Sequence, residues 1–196
     1  MWSAGHADDM STDRGRHRPL SLARPCRLTF GGDLMDWVAL VSWGELRAAR
    51  SDLWEAGRDL LYQFGVGLAF LATVRRDGGP RTHPVCPLVT PDHLFAFIVP
   101  SPKCGDLERD GRYALHSFPS PENEDAFYLV GRARRVDDAQ ARDTLAEQFA
   151  GERSQFGVRA EDLADQTLFE FDIETCMLTR TTGHGDPKPT HVTWHA

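Results

Sequence analysis

The sequence predicts a mainly β protein of the α+β class, an antiparallel β-barrel with peripheral helices. Three observations carry that expectation. Short apolar runs separated by turn residues fill positions 67–99, two more alternating runs follow at 112–118 and 126–136, and helical periodicity is confined to two stretches. Tight turns between short apolar runs mark antiparallel hairpins, and strands that outnumber helices in this way favour a barrel.

The first firm element is SWGELRAARSDLWEAGRDLLYQFG. Ser42 and Glu45 form an S-x-x-E capping box, which satisfies free N–H groups where a helix starts. Leu46, Ala49, Leu53, Ala56 and Leu60 recur at helical spacing, so one helix is expected from about Trp43 to Phe64, with Gly65 as its stop. The next stretch, GLAFLATVRRDGGPRTHPVCPLVTPDHLFAFIV, is cut by Asp77-Gly78-Gly79-Pro80 and by Thr90-Pro91-Asp92, which places strands near 67–75, 81–89 and 93–99. RYALHSF and AFYLVGRARRV add two strands. In the second, Arg132 and Arg134 alternate with apolar positions, as on the wet face of an edge strand or as receptors for an anionic tail. DDAQARDTLAEQFA reads as helix, with Asp137 and Gln140 at its start, and QTLFEFDIETCMLTRTT supplies the last one or two strands.

A chain of 196 residues fits one domain with a real core. The N-terminal stretch 1–38, rich in Pro, Gly and Arg and without a continuous apolar run, is expected to be a flexible lead-in rather than a secretory signal, with Met10 or Met35 as alternative translation starts. The domain proper is then 39–196. Residues 1–34 carry a charge of +1 and the rest −8, for −7 overall. So acidic a body is a poor generic nucleic-acid binder, because phosphate binding needs Lys and Arg to release counterions. No run reaches the length of a membrane span. Cys26, Cys86, Cys104 and Cys176 are scattered, without zinc spacing, which suits a reducing compartment; the expected location is cytoplasmic. Cys104, beside Lys103, is either a spare thiol in a loop or one made reactive by the ammonium.

The chemistry-bearing motifs prune further. A dinucleotide-binding glycine loop, a P-loop, H-E-x-x-H and G-x-S-x-G do not occur. His184, His191 and His195 crowd the C-terminus but lack the register of a specific metal site. The informative stretch is FIVPSPKCGDLERDGRYALHS. A strand ending in Ser101 and Lys103 can offer a hydroxyl, an ammonium and free N–H groups to one anion. In PRTHPV, strand alternation places Arg81 and His83 on one face and Thr82 on the other, so one of them and Lys103 can meet over a phosphorylated ligand. The alternative for Lys103 is a solvated strand end, and for His83 a histidine bonded to a carbonyl. His116 reads as structural.

Taken in order, FLATVRRDGGPRTHPVCPLV, LFAFIVPSPKCGDLERDGRYALHS and AFYLVGRARRV resemble the pyridoxamine 5'-phosphate oxidase-like family of flavin-binding split barrels over about residues 40–180. The resemblance implies a split β-barrel homodimer with a cofactor in the groove between subunits. It places flavin contacts on Arg81, Thr82, His83 and Pro84 and the cofactor phosphate on Ser101 and Lys103. It implies a closing role for a C-terminal segment, GDPKPTHVTW, ending at Trp194, and a structural role for Arg112. The family's Arg/His-rich substrate segment is not reproduced, which speaks against pyridoxine phosphate oxidation.

The resulting expectation is an FMN-dependent oxidoreductase acting on a small molecule. Ser101 and Lys103 would fix the phosphate, Arg81 would stabilise the reduced ring, and His83 is the candidate proton donor. Two alternatives stand beside it. One is a deazaflavin-dependent reductase, the other a non-catalytic flavin- or haem-binding protein, with His83 or His184 as the haem ligand.

Overall fold

The computed structural model describes residues 39–196; the expected lead-in over 1–38 and the alternative starts lie outside the described residues. The capping box forms: the Ser42 side chain accepts from the Glu45 amide at 3.2 Å, and Glu45 Oε2 accepts from the Ser42 amide at 2.7 Å. Helix α1 (Trp43–Ala49) is short, however, because Arg50 leaves helical geometry at φ −149°, ψ 74° and starts α2 (Ser51–Leu61) instead. The single helix expected over 43–64 is therefore two. Arg50 donates twice to Asp52, at 2.8 and 2.6 Å, a local pairing that fixes the break. Leu46, Leu53, Ala56 and Leu60 bury as their spacing requires, whereas Ala49, at the break, stays exposed.

The strands form one 8-stranded antiparallel sheet that curls into a split barrel. They are β1 (Ala69–Val74), β2 (Pro80–Val85), β3 (Pro87–Val89), β4 (Leu94–Ile98), β5 (Arg112–Ser117), β6 (Ala126–Arg135), β7 (Thr167–Arg180) and β8 (Thr190–His195). The order is β2-β1-β5-β6-β7-β4-β3, with β8 also on β7. Along one edge β7 pairs with β6; along the other it is shared, β4 taking Thr167–Glu170, Val41 bridging Ile173, and β8 taking Thr175–Arg180. The run 166–182 is thus one strand, and the C-terminal segment read as a lid is another.

Two further expectations change. The stretch 81–89 is two strands, divided at Cys86, with Pro84 and Pro87 on either side. Proline removes a ladder donor, so a continuous strand is disfavoured there. Strand β6 lies between β5 and β7 rather than at an edge. Its Arg134 is held by Glu170 at 2.7 Å and Asp172 at 3.1 Å.

The core has two parts. Inside the barrel, Leu71, Tyr113, Leu115, Phe127, Phe171 and Ile173 meet Leu53 and Leu60 of α2. On the opposite side of β3 and β4, Leu88, Phe95 and Phe97 pack on Leu145 and Phe149 of α4 (Ala139–Glu152). Every residue of β4 is buried because the two clusters cover both its faces. A third helix, α3 (Pro102–Arg109), occupies the segment read as a loop after Lys103. Among the described residues, no helix is long and apolar enough to cross a membrane.

Candidate functional site

The edge strand β2 meets the first turn of α3, and there most of the predicted residues converge. Register places Arg81 opposite Thr73 and His83 opposite Leu71, on the barrel-interior face; Thr82 and Pro84 lie opposite Ala72 and Phe70, on the outer face. Proline at positions 80 and 84 fits an edge, where the missing donors leave no partner unsatisfied.

Ser101 is the N-cap of α3, but its hydroxyl donates back to the Val99 carbonyl at 2.9 Å and caps no amide. Pro102 opens the helix, as suits a position whose N–H would be unpaired. No side chain therefore caps the first-turn amides at the positive end of the helix dipole. Lys103 lies beside them, its Nζ 3.4 Å from the Pro84 carbonyl. Burial desolvates this ammonium and pulls its pKa below the ordinary lysine value.

Next to this turn, a groove of 520 Å³ is lined by Arg75, Arg76, Arg81, Gly105, Asp106 and Arg109 among others. Asp106 is buried and accepts from Arg81 Nε at 2.8 Å, Arg109 at 3.1 Å and the Thr73 hydroxyl at 3.1 Å. Burial alone would push its carboxyl up, but these donors outweigh it and hold it below the usual carboxylate range. Sequence reasoning missed Asp106, Arg109 and the groove. The available signal was the i, i+3 spacing of Asp106 and Arg109, visible only once the segment is taken as helix. Cys104, expected in a loop, is a buried helical thiol 3.5 Å from the Thr167 hydroxyl.

The structure thus joins β2 to α3 through two contacts, Arg81 on Asp106 and Lys103 on Pro84, with Ser101 on the same turn as Lys103; Arg81 lines the groove, Lys103 and Ser101 stand beside it, and His83 is exposed on the edge strand. The structure does not bring Trp194 to them within one chain. Trp194 faces Cys176 across β7 and packs against the barrel core. From Cys176 to Thr167, next to the end of β4, the path along β7 is about 30 Å at ~3.3 Å per residue. His184, the other imidazole considered for haem, lies 3.3 Å from the Pro121 carbonyl.

The outer face of β1, β5, β6 and the far end of β7 is covered by no helix among the described residues. It presents half-buried Phe70, Ala114, Tyr128, Val130 and Met177, with Phe118 stacked on Phe70 at 4.2 Å. Exposed His116 stands on the same, mostly apolar face, opposite Phe70 and Tyr128, and Thr82 and Pro84 border it.

No protein-family model matches the chain, and no curated protein matches it. Solved structures do. A protein from Clostridium acetobutylicum related to general stress protein 26 of B. subtilis, of the pyridoxinephosphate oxidase family, superposes with TM-score 0.51 at 14% identity, over 78% of this chain and 95% of its own. General stress protein 26 from Bacillus anthracis gives 0.50 at 21% identity, over 63% and 91%. The heme storage protein HutZ from Vibrio cholerae gives 0.51 at 15% identity, over 64% and 89%. The chain therefore has the split-barrel fold of the pyridoxamine 5'-phosphate oxidase-like proteins.

Proposed function

We propose that this chain binds FMN through its phosphate at the junction of β2 and α3 and works as a flavin-dependent oxidoreductase on a small molecule. The observation that carries the reading is the Lys103 ammonium. It is partly desolvated, its hydrogen-bond partner is a carbonyl at 3.4 Å, and it stands in the first turn of a helix that no side chain caps, two residues after Ser101. Such a cation is stabilised by an incoming anion, and phosphate can accept from the ammonium and the first-turn amides at once, and from the Ser101 hydroxyl once it turns from the Val99 carbonyl. Arg81 adds its terminal guanidinium nitrogens, since only its Nε is taken up by Asp106.

When bound, the isoalloxazine supplies hydride and electron transfer. The protein's own part is to anchor the phosphate, to offer Arg81 as a fixed cation and to present His83, exposed on β2, for proton exchange. Thr82 and Pro84 open onto the uncovered apolar face. A second copy laid on that face would bury it, exclude water from the ring and bring its own residues to the groove; a homodimer is part of the proposal. A deazaflavin whose side chain carries a phosphate suits the same junction.

The test is an absorbance spectrum of the purified protein before and after denaturation. Flavin bands that persist in the released ligand support the reading. A colourless protein that takes up neither added FMN nor a deazaflavin refutes it. The shared fold with HutZ favours haem as the second reading, with exposed His83 as the ligand. A Soret band on haem titration that His83→Ala abolishes would establish that alternative instead.

A further inference from the structure

We propose that Asp106 is a positioning residue: its buried carboxylate fixes the guanidinium of Arg81, and that of Arg109, facing the groove in the geometry that holds the phosphate. The inference rests on the flavin reading and adds a residue to it. Asp106 is 5% exposed and uses both oxygens. Oδ2 accepts from Arg81 Nε at 2.8 Å and from the Thr73 hydroxyl at 3.1 Å, and Oδ1 accepts from Arg109 at 3.1 Å. Arg109 is pinned a second time by the Val74 carbonyl. One carboxylate thus serves two arginines through part of each fork, leaving the remaining donors toward the groove that both residues line.

A free arginine samples many rotamers and loses that freedom when it grips an anion, whereas one already held by its Nε loses little. A carboxylate beside an anion site also repels the anion. The two effects have opposite signs, so a charge-removing substitution separates them. If Asp106 only dilutes positive charge, an amide at this position tightens phosphate binding; if it positions Arg81, the amide weakens it.

The experiment compares dissociation constants for FMN and for riboflavin, which lacks the phosphate, in the full-length chain. The proteins are wild type, Asp106→Asn, Asp106→Glu, Arg81→Ala and the double variant Asp106→Asn/Arg81→Ala. The Asn variant is expected to lose about tenfold for FMN, the worth of one charge-assisted hydrogen bond, and nothing for riboflavin. That loss shrinks when Arg81 is already alanine, because only the part that Asp106 exerts through Arg109 remains. The Glu variant keeps the charge but displaces it by a methylene; it loses several-fold for FMN, and it decides the question if the Asn variant does not fold. Unchanged or tighter FMN binding overturns the proposal, as does an equal loss for both flavins. Wild-type protein that binds neither flavin defeats the flavin reading instead. The same variants are then titrated with inorganic pyrophosphate, where weaker binding upholds the role of Asp106 and unchanged or tighter binding overturns it.

Discussion

Replacing Gly131 by alanine tests how the barrel is closed. In β6–β7 pairing, Val130 faces Thr175 but Gly131 faces Ile173, so Glu174 is an extra residue bulged out of β7. The bulge pushes the β7 backbone onto Gly131. A Cβ there would lie 1.9 Å from the Asp172 carbonyl oxygen and 3.1 Å from the Glu174 amide. A carbon and a carbonyl oxygen approach comfortably to about 3.3 Å, so the strands must part by roughly 1.4 Å. Backbone on both sides cannot rotate away as a side chain would. Parting stretches the flanking ladder bonds past hydrogen-bonding range. Losing about two of them in a buried sheet, at ~1–3 kcal/mol for each unsatisfied group, costs ~3–5 kcal/mol. That is a large share of the ~5–15 kcal/mol available to a domain. In urea, with m near ~2 kcal/mol/M, the midpoint should fall by about 2 M. A fall below ~0.5 M would refute the close approach and the bulge that causes it.

The other predictions follow from the site, the uncovered sheet face and the buried carboxylates. Gly105 sits inside α3, where alanine would meet nothing within 4 Å; Gly105→Ala should raise stability by ~1 kcal/mol in a thermal melt while weakening FMN binding, and tighter or equal binding would remove the groove from the site. Tyr128→Asp places a charge on the uncovered face and should turn a dimer into a monomer by light scattering; a wild-type monomer would contradict the dimer. Asp106 and Asp125 are buried, and their partners, arginines above all, outweigh desolvation and hold both carboxyls below the ordinary range. Their stabilisation is complete above the unfolded carboxylate pKa of about 4 and is lost as pH falls through the folded values. The thermal midpoint should therefore be insensitive to these groups from about pH 5 upward and drop below about pH 4, less steeply in Asp125→Asn.

The elements legible in the sequence are those whose signal is local. The Ser42–Glu45 box, the Asp77–Pro80 turn and the alternation of β5 and β6 depend on neighbours within a few residues, and they stand where they were placed. Register also upholds the division of β2 into an Arg81/His83 face and a Thr82 face. What the sequence hides is set at a distance. Helix α3 is eight residues with Pro102 at its first turn and Gly105 inside, too weak a helical signal to outweigh its reading as a turn. The break at Arg50 falls in a stretch whose apolar period continues across it. The need for Gly131 within AFYLVGRARRV is set by the bulge in β7, which nothing near it in the sequence announces. Likewise Ser101 and Lys103 can be picked out from the sequence as candidates to hold an anion, whereas Asp106 gains its meaning only from Arg81 and Thr73, on strands that precede it by about thirty positions. Trp194 was singled out as a closing residue; in its own chain it is a β8 residue packed on the core.

The most direct test of the central claim is the affinity of Lys103→Ala for FMN set against riboflavin, measured by quenching of flavin fluorescence near pH 7. A lost charge-assisted contact to phosphate is worth ~1.5–3 kcal/mol, so FMN should bind about 10- to 150-fold more weakly, with riboflavin unchanged. Equal FMN affinity in the variant and the wild type would contradict the account, since the phosphate would then lie elsewhere than the β2–α3 junction.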